Sequence, residues 1–411
     1  MKKLLLIEAN GNAGEDLLQA ARNLGVAVHV ATHAELYEKY PRESKDKIAG
    51  TVFTDFRDLE LARKALVEYS RGNDIDGVIT GWEFFSSLAT QVAADLGLPA
   101  HDPGRADGCR NKRVMADLFA ECTVPSPRTV HSATLEGVTE ALAGSGLDYP
   151  LVVKPAENAG SIGVSVVHDA DELAKAFELA QGWPLEFPHG TPLDTTVLVQ
   201  EYIGGVEFSV ESVIADGAIT HLAVTQKFTT TDNSRAELGH TVPADLSAAD
   251  RATLLDTVEQ AQVALGLRNG ISHTEIKLVG PGEARIIELG ARPPGDHIMK
   301  LVAGATGISE AEAYITVALG GVPDLAPKVD RAAAIRFLTP PRAGVFRGVT
   351  GIPEGVDIES EVYAEVGAEV GDPTDNVARI GYVILTGNSP DEVNQLADDV
   401  VDAVTVEVDA G

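Results

Sequence analysis

Short apolar runs alternate with amphipathic stretches over the first hundred residues, and this pattern restricts the fold more than any other feature of the sequence. The runs at 4–7, 26–30 and 77–79 have the length of buried strands, and helical periodicity fills the gaps between them. Strands that alternate with helices form a parallel, doubly wound sheet. Because 411 residues exceed a single ordinary core, we expect further domains after this one.

Two glycines, Gly11 and Gly14, lie between the first predicted strand and a helix predicted at 15–24. Backbone N–H groups at such a position can hold an anion, but the spacing lacks the full glycine pattern of a dinucleotide site. We therefore interpret this segment as a tight turn, with an anion site as the alternative.

The pattern changes after 98–104, a segment rich in proline and glycine that ends the first region. Predicted strands then outnumber helices, so the α/β pattern gives way to α+β. We predict an α/β domain at residues 1–105, a small domain at 106–200 and a larger mixed α/β domain at 201–411. Within the last, we expect the polar segment 229–235 to be disordered.

The chain is strongly acidic, with 62 Asp and Glu against 32 Lys and Arg. Such a surface repels nucleic acids and anionic membranes, so we expect neither as a partner. Cys109 and Cys122 fit no metal or disulfide pattern, which favours a cytoplasmic location. The first apolar run ends at Glu8, too early for a signal peptide, and no stretch is long enough to span a bilayer.

Two segments have the residue types of a nucleotide site. Lys154 ends a predicted strand just before the glycine-bearing loop 159–165, where backbone N–H groups and a mobile cation could hold phosphates. The strand at 197–203 would offer backbone partners and an apolar slot for adenine. Glu207, which follows it, would offer a carboxylate for ribose. The alternatives are an ordinary hairpin loop in the first case and a buried strand with a solvated acidic end in the second.

A predicted hairpin joins the strands 271–279 and 284–289 through the turn 280–283. If the turn is centred between its second and third residues, Glu275 and Glu288 stand opposite each other. Facing carboxylates repel, and a bound Mg²⁺ would relieve the repulsion. The Pro-Gly sequence suits a two-residue turn poorly, so a bulge can shift the register of the two strands. The alternative interpretation of the two glutamates is an exposed acidic face.

Three more residues are candidates by position. Arg292 follows Glu288 by four residues, where a guanidinium could bind a transferring phosphoryl group or an oxyanion, although an isolated surface arginine is the alternative. Trp82 and Glu83 follow the strand at 77–79, at the carboxyl end where open α/β sheets bind ligands.

Taken in order, these segments resemble the ATP-grasp superfamily over almost the whole chain. The resemblance adds Lys112, in the segment 109–115, as a phosphate-binding lysine. It implies an ATP-grasp fold with a Rossmann-like N-terminal domain, a small lid subdomain at 106–200 and a larger C-terminal domain. It also implies roles for individual residues: ATP binding by Lys112, Lys154, Gly160, Ser161, Gly163, Gln200, Glu201, Tyr202, Ile203 and Glu207, metal binding by Glu275 and Glu288, and catalysis by Arg292.

Two further motifs resemble the subgroup of amino-acid and dipeptide ligases, which includes carnosine synthases and bacterial L-amino-acid ligases. These motifs are Glu-Leu-Gly-Ala-Arg-Pro-Pro-Gly at 288–295 and Gly-His-Thr-Val-Pro at 239–243. The substrate contacts expected on these grounds are Trp82, Glu83, His240, Gly295 and Arg336. Gly290 stands where many relatives have an asparagine ligand, so we expect water or phosphate to complete the metal coordination.

The resemblance implies a reaction in which ATP converts a carboxylate to an acyl phosphate and an amine then displaces phosphate to form an amide. It implies ATP and Mg²⁺ as cofactors, with two metal ions and Mn²⁺ as a substitute. The expected partners are a small carboxylate and an amine, and the expected assembly is a homodimer. The alternatives are a carboxylase or formyltransferase of the purine-pathway type, a non-catalytic nucleotide-binding protein and, from the first domain alone, an unrelated oxidoreductase.

Overall fold

The computed structural model describes residues 1–230, 237–353, 355, 357–372 and 376–409. Most of the segment 229–235, expected to be disordered, lies outside the described residues. The described strands form four sheets, one of them parallel and three antiparallel. None of the helices in this part of the chain combines the length and the apolar character that crossing a membrane requires.

The N-terminal sheet is parallel with the order β3-β2-β1-β4, which confirms the predicted doubly wound domain. Leu4 and Leu6 pack on one face and Leu5 and Ile7 on the other, so β1 is buried on both sides. The elements are β1 (Lys3–Ile7), α1 (Gly11–Asn23), β2 (Ala27–Thr32), α2 (Ala34–Lys39), α3 (Arg42–Lys45), β3 (Ile48–Phe53), α4 (Leu59–Asn73), β4 (Gly77–Thr80) and α5 (Ser86–Asp95).

The glycine segment at 11–14 forms the first turn of α1, so its interpretation as a separate turn was wrong. Gly14 is required there, because a Cβ atom at this position would lie 2.2 Å from the carbonyl oxygen of Ala9. Strand β3 was not predicted. It is a half-exposed edge strand without a continuous apolar run, so its sequence lacks the signal of a buried strand.

The small sheet is antiparallel with the order β5-β8-β6-β7, and the glycine loop 160–163 connects β6 to β7. Its core consists of residues from α7, α8 and the buried face of the strands, including Val138, Val153 and Phe177. The elements of this region are α6 (Lys112–Glu121), β5 (Thr129–Ser132), α7 (Leu135–Ser145), β6 (Leu151–Pro155), β7 (Ser165–Val167), α8 (Ala170–Gln181) and β8 (Val197–Glu201).

The large sheet has eight antiparallel strands in the order β13-β12-β9-β10-β11-β14-β18-β16, and a small sheet of order β17-β15-β19 follows it. Its elements are β9 (Val206–Ala215), β10 (Ala218–Thr229), β11 (Glu237–Val242), α9 (Ala248–Ala264), β12 (Gly270–Gly280), β13 (Glu283–Gly290), α10 (Ile298–Thr306), α11 (Glu310–Ala318), β14 (Ala332–Leu338), β15 (Gly344–Thr350), β16 (Ile358–Val362), β17 (Glu369–Val370), β18 (Gly381–Gly387), α12 (Pro390–Ala403) and β19 (Thr405–Asp409).

Helices α10 and α11 pack between the large sheet and the N-terminal domain, so these two parts share one core. Helix α12 is capped at its N-terminus by Ser389, whose side chain accepts a hydrogen bond from the N–H of Glu392. Helix α6 packs with α9 through Met115 and Phe119. We keep the division at residues 105 and 200 as a proposal, although α6 contributes to the core of the C-terminal domain.

Candidate active site

A cavity of about 560 Å³ lies where the N-terminal domain, the small sheet and the large sheet meet. The sequence-predicted site residues that line it are Trp82, Glu83, Lys112, Lys154, Gly160, Ser161, Gln200, Glu201, Tyr202, Ile203, Glu207, His240, Glu275, Glu288, Arg292 and Gly295. Gly163 and Arg336 are not among the lining residues. Segments far apart in the sequence therefore meet at one site.

Glu275 on β12 and Glu288 on β13 are direct partners across the antiparallel pair. Near the turn, Ile276 pairs with Ile286, and the register shifts by one residue between Ile276 and Glu275. The predicted facing of the two glutamates is therefore present, and it is reached through a bulge that leaves Ile287 unpaired. Both carboxylates face the cavity, as a shared metal site requires.

Lysines neutralise these two carboxylates. The Lys112 ammonium lies 2.9 Å from Glu288 and donates to the carbonyl oxygen of Asn158 at 2.7 Å. Lys227 contacts Glu275 and also lies 2.8 Å from Glu237 and 3.2 Å from Glu207. Burial opposes the charge of Lys227, but the three carboxylates outweigh it and raise the lysine pKa well above its usual value.

Lys227 was missed by the sequence reasoning. The signal that could have identified it is a lysine, the single charged residue, within the strand segment 222–228. A charged residue inside a buried strand requires a partner, and here the partners are three acidic residues of the cavity.

The side chain of Lys154 is buried and lines the cavity. Its ammonium forms no hydrogen bond or ion pair within the described ranges of the chain. Burial lowers its pKa from the usual 10.5, and the nearby Glu288 only partly opposes this effect. In the adjoining loop, Gly160 and Ser161 face the cavity in the left-handed region, with φ values of 63° and 61°. A lysine with a free ammonium beside such a loop is suited to phosphate oxygens.

Gly163 has a packing role in this structure. With a φ of 77°, it places its backbone so close to α8 that an added Cβ would meet the Cα of Ala180 at 3.3 Å. The ATP contact predicted for Gly163 thus has no support from the cavity lining, and the residue shapes the loop from outside.

The connection between β8 and β9 forms an apolar slot with the neighbouring strands. Val152, Val166 and Ile287 contribute its apolar walls, and residues 200–203 form one edge. Lys277 donates to the carbonyl oxygen of Ile203 at 3.2 Å, which fixes this connection to the large sheet. An apolar slot beside an exposed backbone edge is the arrangement that a purine base needs.

Glu207 lies beside this slot, with its carboxylate 3.6 Å from the Lys277 ammonium. Gln200 donates to the hydroxyl of Thr129 at 2.8 Å, and Glu201 lies 3.3 Å from Arg128, so both side chains also brace β5 against β8. The predicted nucleotide residues 200–203 and 207 are therefore brought together along one side of the cavity.

At the other end of the cavity, Arg292 donates to the carboxylate of Glu83 at 2.7 Å. Burial opposes ionisation of Glu83, but the guanidinium outweighs it and lowers the carboxyl pKa. A Cβ at Gly290 would lie 3.2 Å from the Arg292 side chain, so a larger residue there would crowd the arginine. Glycine at position 290 therefore leaves room for the Arg292 side chain.

His240 on β11 lies 2.9 Å from Asp296, and Arg379 contacts Asp296 at 2.7 Å and Glu237 at 3.2 Å. Glu237, His240 and Asp296 are close enough to share a metal ion. However, Arg379 and Lys227 already neutralise the two carboxylates, so this group does not favour a further cation. Arg379 precedes β18 and had no signal in the sequence.

Arg336 lies on the face of β14 that packs against α12, as do its alternating neighbours Ala334 and Leu338. Its guanidinium donates to Asn394 of α12 at 3.0 Å. His240, by contrast, lines the cavity. We therefore no longer place Arg336 at the substrate, because its contacts stabilise the packing of α12.

Asp16 of α1 also lines the cavity, and it was missed from the sequence. Burial raises the pKa of its carboxyl from 3.8 to about 6. Because the folded-state pKa is higher than the unfolded one, ionising Asp16 disfavours the folded state, and wild-type stability is lost as the pH rises from about 4 to about 6. We expect Asp16→Asn to unfold at higher denaturant concentration than wild type above about pH 6, with the difference vanishing below about pH 4.

Urea unfolding of the two proteins across this pH range measures the effect. Glu43 of α3, which is exposed, provides the control variant Glu43→Gln. An Asp16→Asn variant whose stability relative to wild type is the same at every pH would contradict the expectation.

Three family sequence models match the chain. The ATP-grasp N-terminal domain matches residues 18–100, the ATP-grasp domain matches residues 147–300 and the L-amino acid ligase C-terminal domain 2 matches residues 336–409. Their order along the chain is that of the N-terminal sheet, the central region with the cavity and the C-terminal tail.

Relatives with a named activity are similar to most of the chain. Alanine–anticapsin ligase of Bacillus subtilis is 26% identical over 316 residues, which cover 70% of this chain and 66% of that protein. Human carnosine synthase 1 is 25% identical over 340 residues, which cover 79% of this chain and 40% of that protein. The chain thus spans just under two thirds of the first enzyme and less than half of the second.

The crystal structure of an L-amino acid ligase from Bacillus licheniformis has the same fold. It superposes with a TM-score of 0.82 at 22% identity, and the match covers 100% of this chain and 99% of that one. The structural match shows the fold, and the matched sequence domains show that the chain belongs to the ATP-grasp family, with a C-terminal region similar to that of L-amino acid ligases.

Proposed function

We propose that the protein is an ATP-dependent carboxylate–amine ligase that forms an amide bond through an acyl phosphate. It would join an amino acid or small carboxylic acid to an amino acid and release ADP and phosphate. The observation that carries the proposal is the facing pair Glu275 and Glu288, beside Lys112 and the buried Lys154 on one cavity. Two carboxylates and two lysines in this arrangement suit the phosphates and metal ions of a nucleotide.

The superfamily uses ATP, and the apolar slot at 200–203 with Glu207 supports an adenosine site in this chain. Glu275 and Glu288 offer the oxygen ligands that Mg²⁺ prefers, so we propose that they hold two Mg²⁺ ions, which Mn²⁺ can replace. Such ions, when bound, neutralise charge on a transferring phosphoryl group.

The first step of the proposed reaction is phosphoryl transfer. A substrate carboxylate oxygen attacks the γ-phosphorus, the bond from that phosphorus to the β–γ bridging oxygen breaks, and ADP leaves. Lys112 and Lys154 would align the phosphates, since phosphoryl transfer depends chiefly on positioning and charge. The loop with Gly160 and Ser161 would exclude water from the acyl phosphate.

The second step is aminolysis. The amine nitrogen attacks the acyl carbon, the bond to the phosphate oxygen breaks, and the nitrogen loses a proton. The Nε of Arg292 has no hydrogen-bond partner in the described part of the chain, so the guanidinium can donate to the phosphate as it leaves. The Nδ1 of His240 also lacks a partner there, and we propose that it accepts the amine proton.

The comparisons support the amide ligase over the carboxylase alternative, because the C-terminal domain match is to L-amino acid ligases. Alanine–anticapsin ligase joins an amino acid by its name, which supports an amino-acid substrate here. We propose Trp82, Glu83 and Gly295 as substrate contacts because they line the cavity. The homodimer and the cytoplasmic location are further proposals, based on the resemblance and on the two cysteines.

The test is ADP and phosphate release from Mg-ATP against a panel of amino acids, singly and in pairs, with product masses recorded. We expect turnover that requires two amino acids and gives a product one water lighter than their sum. Turnover with bicarbonate or formate would reassign the protein to the carboxylase or formyltransferase class. Nucleotide binding without turnover on any of these substrates would favour a non-catalytic protein.

A further inference from the structure

A buried ion cluster joins the segment 182–194, between α8 and β8, to the N-terminal sheet. Glu8 at the end of β1 and Glu186 and His189 of the segment are almost fully buried. One ring nitrogen of His189 contacts the Glu8 carboxylate, and the other lies 3.0 Å from Glu186. Leu193 of the same segment packs into the core of the N-terminal domain. We call Glu8, Glu186 and His189 the Glu-His-Glu cluster.

His189 is a cation in this cluster. Burial lowers its pKa, but hydrogen bonds to Glu186 and Glu8 outweigh it and raise the value to about 9. The rings of His33, Phe56 and Phe85 pack edge-to-face with the His189 ring at centroid distances of 4.9 to 5.6 Å, so aromatic groups surround it. The imidazolium therefore donates to both carboxylates and holds together two groups that would otherwise repel.

Two hydrogen bonds and a ring contact join the Glu-His-Glu cluster to residues that line the cavity. The backbone N–H of Asn10 donates to Glu8 at 2.8 Å, and the indole N–H of Trp82 donates to Glu186 at 3.0 Å. The indole also packs edge-to-face with the His189 ring at a centroid distance of 5.6 Å.

Trp82 is bonded along the chain to Glu83, which accepts the hydrogen bond from Arg292. The cluster is therefore linked to the arginine of the proposed reaction through the backbone at residues 82 and 83.

We propose that His189 is a positioning residue that fixes the Trp82 indole, and with it the substrate end of the cavity, by clamping the segment 182–194 onto the N-terminal domain through Glu8 and Glu186. The physical reason is charge. Without the cation, the two buried carboxylates repel each other, and this repulsion displaces the segment from the sheet. Glu186 then no longer holds the indole, whereas Lys154 and the nucleotide slot lie on other strands and keep their positions.

The first experiment follows Trp82 directly and does not depend on any reaction. The chain has two tryptophans, and Trp183 is partly exposed, so Trp183→Phe leaves Trp82 as the single reporter. In this background we expect His189→Gln to shift Trp82 emission to the red and to increase its quenching by acrylamide. Glu186→Gln, which keeps an oxygen for the indole, should give a smaller change.

The second experiment measures kinetics and rests on the proposed function. We expect His189→Gln to raise KM for the carboxylate or amine substrate by about 3- to 10-fold, the value of one hydrogen bond, with little change in KM for ATP. If His189 acts through Trp82, the effect of His189→Gln disappears in a Trp82→Phe background.

The matched control is His29→Gln. His29 is also buried in the N-terminal sheet, but it bonds Tyr69 and none of the segment 182–194. It should change neither Trp82 emission nor KM. Unchanged Trp82 emission and quenching in a folded His189→Gln protein would overturn the positioning role, whether or not ligase activity is found. A KM effect of equal size with and without Trp82 would overturn the route through the indole.

Discussion

Lys154→Met is expected to lower ATP turnover by about 10²–10³-fold, the loss that follows removal of one preorganised charge from a transition state. Lys154 lies buried on the cavity wall and forms no ion pair within the described residues. Its ammonium is therefore available to a bound phosphate. Methionine keeps the unbranched shape and the packing but carries no charge. Initial rates of ADP release at saturating Mg-ATP measure the effect.

The same substitution should stabilise the ligand-free protein, because a buried cation without a partner disfavours the folded state. Activity and stability are therefore expected to change in opposite directions, which separates loss of a functional charge from loss of the fold. Lys175→Met on the exposed side of α8 is the control and should change neither quantity. Wild-type turnover in Lys154→Met would remove this lysine from the proposed nucleotide site.

The parts of the site that the sequence predicted well are those set by local pattern. A hairpin has a period of two, so Glu275 and Glu288 were placed opposite each other by counting from the turn. Lys154 and its glycine loop are likewise adjacent in sequence. In both cases the residues that act together lie close in the sequence. In the hairpin, two register shifts, one between Glu275 and Ile276 and one between Leu278 and Gly280, cancel each other, so the pairing obtained by counting holds.

The parts that the sequence did not predict depend on which distant segments meet. Lys227 is explained only by Glu207, Glu237 and Glu275, which come from three other strands of the large sheet. His189 is explained only by Glu8, which is 181 positions away. The strand order and the docking of the segment onto the N-terminal domain bring these charges together, and neither has a local signature.

The surroundings of Arg336 have the same origin. The face of β14 that points to the cavity depends on where α10 and α12 pack. A shift of one residue reverses the face of every side chain on a strand. Position along the chain therefore did not show that Arg336 faces α12, whereas His240 on the neighbouring strand lines the cavity.

Glu288→Gln is expected to have the second large effect, because it removes the charge from one of the two facing carboxylates. Gln keeps the side-chain length and one oxygen, so the pairing of β12 with β13 and the contact with Lys112 can persist. What is lost is half of the negative charge that Glu275 and Glu288 present to a metal ion. We expect the Mg²⁺ concentration for half-maximal ADP release to rise by about 100-fold or more.

A Mg²⁺ titration of ADP release at fixed ATP distinguishes a loss of metal affinity in Glu288→Gln from a folding defect, since a damaged fold lowers activity at every metal concentration. Glu283→Gln is the matched control, because Glu283 lies on the same hairpin but is exposed and bonds Arg285. If Glu288→Gln kept the wild-type Mg²⁺ dependence, the facing carboxylates would have to be regarded as partners for Lys112 and Lys227 alone. A selective loss of metal affinity would instead support Glu288 as a ligand of a metal ion.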